Sequence, residues 1–225
     1  MDWLGESGDG TVRALVAREE LLADLRARLR AGHGFAIATL NLDHAVKLRA
    51  DPAFRAAYAA HSHVTADGHP IVWLERLAGR RAERMTGADL VVPLARIAAG
   101  EGCSVALVGT TAASLDGAAE RLQREAPGLH VAARFAPQTG FDPSSSGAAR
   151  LLDEIGESGA RLCFLALGAP KQELFAARAA ARLPHMGFAS VGAGLDFLSG
   201  QQVRAPRAVQ AFALEWAWRL ARDPR

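Results

Sequence analysis

"RLCFLALGAPKQELFAARAAARL", residues 161–183, holds the transition that decides the fold. Six apolar residues run from Leu162 to Leu167, a Gly-x-Pro turn follows, and a helical pattern begins at Lys171. A run that is apolar at consecutive positions, rather than at alternate ones, suits a strand covered on both faces. Such strands belong to parallel sheets, in which each strand is followed by a crossover helix.

Five further short apolar runs share this character: "GFAIATLN" (34–41), "SHVTADG" (62–68), "CSVALVG" (103–109), "LHVAARFA" (129–136) and "GFASVGAG" (187–194). The second is weak as a strand by composition. Helical patterns separate them. Leu21, Leu22, Leu25 and Leu29 form one stripe that ends at Gly32. The Ala-rich stretch after Asn41 is broken by Pro52, where a new helix starts. Helices are also expected in "IVWLERLAG", "LVVPLARIAAG", "AASLDGAAERLQREA" and "QELFAARAAARL", with "PSSSG" (143–147) as a surface loop. This alternation predicts an α/β fold: one doubly wound, mainly parallel Rossmann-like sheet with helices on both faces, spanning residues 1–225 as a single domain. Residues 1–34 are the less certain helical lead-in.

Of the 225 residues, 50% are hydrophobic and 22% charged, with a net charge of +2. That balance argues against nucleic acid as the main partner. Cys103 and Cys163 lie in apolar runs and read as free, buried thiols of a reducing compartment. The first ten residues carry three acidic groups and no basic segment, so no secretory signal is expected. No apolar run reaches the ~18 residues of a membrane span. A cytoplasmic protein with at most peripheral membrane contact is the expectation.

In an open α/β sheet, ligands bind beyond the carboxyl ends of the strands. Those ends carry Thr39 and Asn41, Asp67-Gly68, Gly109-Thr110-Thr111, the corner from Gly168 to Glu173, and Gly192-Ala193-Gly194 with Asp196. Asp67, in "VTADGHP", reads either as a turn or cap residue or as a carboxylate placed for general-base work. In "RMTGADL", Thr86 or Asp89 suits a helix N-cap, which leaves Arg84 for an anionic group. A dinucleotide fingerprint would need a small residue where Phe197 stands, so a nicotinamide-dependent oxidoreductase is disfavoured though still open. The sequence contains no Asp-x-Asp, P-loop or Gly-x-Ser-x-Gly, and no metal cofactor is expected.

The C-terminal segment repeats Val209, Phe212, Trp216 and Leu220 at helical spacing, with Arg204, Arg207, Arg219, Arg222 and Arg225 among them. It reads as an amphipathic helix whose basic face is either simply solvated or meets a diphosphate or an anionic membrane.

Taken in order, "TLN", "ADG", "RMTGADL", "GAPKQE", "VGAGLDFLSG", "RAP" and "EWAWRL" resemble the WecG/TagA/CpsF family of bacterial glycosyltransferases. The resemblance implies an inverting, UDP-sugar-dependent hexosyltransferase that needs no metal. Its acceptor would be a polyprenyl-diphosphate-linked sugar at the inner face of the cell membrane, in cell-wall, capsule or exopolysaccharide synthesis. It implies Asp67 as general base, with Thr39 and Asn41 in the same pocket and Arg84 on a phosphate or acceptor group. Gly168, Lys171, Gln172 and Asp196 would hold the donor, and Arg204 and Arg207 would meet the membrane or diphosphate. Glu173 is read as a cap or buttress of its helix. A homo-oligomer is compatible with the family. Relatives continue past "DPR" in a membrane-contacting tail that is not expected in these 225 residues. A catalytically inactive nucleotide-binding protein is the remaining alternative.

Overall fold

Strand β1 (Phe35–Leu40) is buried along its whole length, and five more strands join it in one sheet. These are β2 (His63–Ala66), β3 (Val105–Gly109), β4 (Val131–Phe135), β5 (Leu162–Ala166) and β6 (Gly187–Ser190). The computed structural model describes residues 17–202. The sheet order is β2-β1-β6-β5-β3-β4, and every pairing is parallel. All six expected strands form. The compositionally weak one becomes the short edge strand β2, where His63 and Ala66 are only half-buried.

Nine helices are described: α1 (Arg18–Ala31), α2 (Leu42–Ala50), α3 (Pro52–Ala59), α4 (His69–Leu77), α5 (Gly87–Gly100), α6 (Ala112–Glu125), α7 (Ser146–Glu157), α8 (Lys171–Arg182) and α9 (Gly194–Ser199). Successive strand residues point to opposite faces, and the core divides accordingly. Val105, Leu107, Leu162 and Phe164 pack with Leu21, Leu25 and Leu29 of α1, Leu94 of α5 and Leu122 of α6. Ala106, Val108, Cys163 and Leu165 pack on the other side, with Ile155 of α7 and Phe175 of α8. Ala38, Leu40 and Val64 continue that side under Leu48, Phe54 and Tyr58. Two covered faces explain why the strands are apolar at consecutive positions.

Local chemistry sets the helix starts. Asn41 caps α2 by accepting from His44 N–H, and Asp51 caps α3 directly before Pro52, the break expected there. Thr86 and Asp89 form a reciprocal capping box on α5, so both candidate caps are used. Among the described residues no helix is long and apolar enough to cross a membrane. Cys103 and Cys163 are free thiols.

Candidate functional site

The neighbours β2, β1, β6 and β5 bring their carboxyl ends together around a cleft of about 420 Å³. Thr39 and Asn41 enter it from β1, Asp67 from β2, Gly168 and Ala169 from β5, and Val191, Gly192 and Ala193 from β6. Helices close the sides. Asp43, His44 and Lys47 come from the first turns of α2, Thr86, Gly87 and Ala88 from the start of α5, and Gln172 from the start of α8.

Asp67 lies one residue past β2, its N–H bonded to Leu40 O at 2.7 Å. Thr39 Oγ1 stands 3.4 Å from Asp67 Oδ2. The strand end beneath them is fastened from below. Tyr58 donates its hydroxyl hydrogen to Thr39 O at 2.6 Å, and His44 Nδ1 lies 2.7 Å from both Thr39 O and the Tyr58 oxygen. The tyrosine hydrogen being spent on the carbonyl, Nδ1 carries a proton shared between those two acceptors. Burial pushes the His44 imidazole down and keeps it neutral; burial also pushes the Tyr58 phenol up, helped by the charges of Glu173, Asp67 and Asp43.

The Lys-Gln-Glu corner divides by depth. Lys171 is half-buried and outside the cleft lining. Gln172 lines the cleft while being only 2% exposed, and Glu173 is completely buried. Gly192 N–H donates to Gln172 Oε1 at 3.2 Å, and Gln172 Nε2 donates to Glu173 Oε1 at 2.8 Å. Burial pushes the Glu173 carboxyl up to about 7. No side chain caps α8; within its first turn Gln172 N–H donates to Gly168 O at 3.0 Å and Leu174 N–H to Pro170 O at 3.1 Å.

The two glycines of "GAG" have separate duties. Gly192 has φ 54° and nothing within 4 Å of where a Cβ would stand, so it offers open backbone on the cleft wall. A Cβ on Gly194 would meet Val91 Cγ2 at 3.0 Å and Ala88 Cα at 3.1 Å, so that glycine serves close packing on α5.

Thr39, Asn41, Asp67, Gly168 and Gln172 therefore come together as expected from sequence. Two other expected ligand groups lie elsewhere. Arg84 bridges to Ala66 at the sheet margin and pairs with Asp89 at 3.5 Å, outside the lining. Asp196 is 5% exposed, and its Oδ1 accepts from Thr110 Oγ1 at 2.7 Å and Ser114 Oγ at 2.5 Å. It holds α9 to the start of α6 and is not itself a lining residue, although its neighbour Phe197 is. Arg204 and Arg207 lie outside the described residues. Sequence reading missed His44, Lys47 and Tyr58, which sit in an Ala-rich helical stretch without a motif. Among the described residues no three His, Cys, Asp or Glu side chains gather as a metal-holding group.

The model of the Glycosyl transferase WecG/TagA/CpsF family matches residues 10–225. The chain belongs to that family. This glycosyltransferase thus carries the family's motifs on strand ends that meet in one cleft: "TLN" on β1, "ADG" on β2, "GAPKQE" between β5 and α8, and "VGAG" after β6. The start of "TGADL" on α5 completes the wall.

Proposed function

We propose that the cleft transfers a sugar from a UDP-sugar to a polyprenyl-diphosphate-linked sugar, with inversion at the anomeric carbon, in cell-surface polysaccharide synthesis. The observation that carries the reading is the Thr39–Asp67 pair on the cleft wall, facing the helix N-termini of α5 and α8. A base on one side and anion-binding backbone on the other are what this displacement needs. Asp67 takes the proton from the acceptor hydroxyl as that oxygen attacks the anomeric carbon. The bond from that carbon to the diphosphate oxygen breaks, and UDP departs with the electron pair. The N–H groups of Ala88 and Lys171, at the starts of α5 and α8, receive the charge growing on the diphosphate, as helix N-termini do for phosphates.

Thr39 orients the Asp67 carboxylate, and Asn41 keeps α2 at the rim. Lys171, half-buried at the first position of α8, supplies positive charge beside the leaving group. Arg84, Arg204 and Arg207 remain proposed contacts for the acceptor diphosphate or an anionic membrane, while Asp196 is assigned to structure, its carboxylate taken by Thr110 and Ser114. The site has no assigned metal role in this mechanism. Homo-oligomerisation and attachment to the inner membrane face belong to the same proposal.

Calorimetric titration with UDP, against NAD as control, tests the reading. Selective UDP binding is expected. Selective NAD binding would overturn it in favour of an oxidoreductase, and UDP binding without any transfer would leave a non-catalytic nucleotide-binding protein.

A further inference from the structure

Glu173 lies beneath the cleft, with 0% of its surface exposed. An acid in such a place is costly unless donors match its oxygens. Only one oxygen is matched: Oε1 accepts from Gln172, and Oε2 has no partner. A methionine would fill the same space without an orphaned oxygen, so packing does not account for a carboxyl here. An acceptor, however, can do what an apolar side chain cannot: it fixes the direction of the neighbouring amide. The Gln172 carboxamide is held at both ends by unlike partners, the Gly192 N–H on its oxygen and Glu173 on its nitrogen. Turned over, it would set NH2 against N–H and carbonyl against carboxyl oxygen. Only one orientation satisfies both neighbours. In that orientation Nε2 keeps a second hydrogen for a ligand in the cleft that Gln172 lines.

We propose that Glu173 is a positioning residue for donor binding: by accepting from Gln172 Nε2 it aims the Gln172 amide, and through it the Gly192 turn, at the diphosphate of the donor. The inference rests on the transferase reading of the cleft. Two further observations support it. The carboxyl, pushed up to about 7 by burial, is held uncharged below neutrality, and its Oε1 accepts in either form. The Gly192 backbone, open at φ 54°, owes its only side-chain bond among those described to Gln172.

The test uses the whole 225-residue chain with UDP as probe, and three variants. Glu173→Met keeps the volume and removes the acceptor; Glu173→Gln restores an acceptor without the charge; Gln172→Leu removes the relay itself. Expected for Glu173→Met are a melting temperature no lower than wild type, shifted resonances of the Gln172 side-chain NH2 and the Gly192 amide, and UDP binding weakened at least fivefold. Glu173→Gln should bring UDP affinity back to within twofold of wild type. Gln172→Leu should show the same Gly192 shift and the same loss, which keeps the test decisive if the methionine variant does not fold. Unmoved resonances, or wild-type UDP affinity in Glu173→Met or Gln172→Leu, would overturn the inference. A wild-type chain that takes no UDP sinks the transferase reading instead; the two resonances then still decide, movement upholding the role of Glu173 and its absence overturning it.

Discussion

Thr39 Oγ1 faces Asp67 Oδ2 at 3.4 Å across the ends of two adjacent parallel strands, while the Thr39 carbonyl is gripped from below by Tyr58 and His44. The carboxylate is thus oriented by a hydroxyl whose own backbone cannot shift freely. A general base contributes about 10²–10⁴-fold. Asp67→Asn should lower the transfer rate by about 10³-fold and leave the UDP dissociation constant within threefold. Thr39→Val should cost roughly tenfold, as orientation is lost and the base kept. Steady-state rates with calorimetry check both; an unchanged rate in Asp67→Asn removes it from the mechanism.

Two buried groups give opposite pH dependences of stability. Glu173 has its carboxyl raised from 4.5 to about 7, so its contribution is fully present below pH 4.5 and is lost as pH rises through 7. His61 donates from Nδ1 to Ala57 O, has no partner for Nε2, and is lowered from 6.5 to about 4 by burial. Its contribution is present above pH 6.5 and is lost as pH falls through 4. Between pH 4.5 and 6.5 the two slopes oppose each other. Urea unfolding should therefore show stability rising with pH in Glu173→Gln and falling in His61→Gln. Identical slopes in wild type and both variants would contradict the assignment.

Gly87 begins α5 against the exit of β6: a Cβ there would stand 2.7 Å from Val191 Cα. Neither backbone can give way without moving the cleft wall. Gly87→Ala should cost about 2 kcal/mol, as small-to-large changes in packed regions do, and weaken UDP binding in parallel. Unaltered urea midpoint and affinity would show that α5 withdraws at no cost.

Asp196 separates a structural from a binding role. Asp196→Ala strips Ser114 and Thr110 of their acceptor and should lower stability by about 2 kcal/mol. UDP affinity measured well below the melting temperature should stay within twofold. A tenfold loss of affinity without a loss of stability would return Asp196 to the ligand.

The strands were legible because both their faces are covered, which writes consecutive apolar residues into the sequence. Strand ends and Gly-rich exits were legible too, and with them Thr39, Asn41, Asp67, Gly168 and Gln172. What residues at those ends touch was not. Arg84 is turned by an acid five positions on, and Asp196 by hydroxyls 82 and 86 positions away. The Tyr58–His44 grip and the burial of Glu173 come from α2, α3 and α8 packing over β1. No local pattern around an Ala-rich helix announces such a meeting, and an acid after a Gly-x-Pro turn reads more simply as a cap.

The sheet order has a temporal side. β6, the last strand of the sheet to be synthesised, sits in the middle, hydrogen-bonded to β1 on one edge and β5 on the other. Until residues 187–190 emerge, β1-β2 and β3-β4-β5 are separate ribbons without a common layer. Their joining also delivers Val191 and Gly192, so the chain gains its cleft in the same event that completes its sheet. A nascent or truncated form lacking that strand would have neither a joined sheet nor a complete cleft wall.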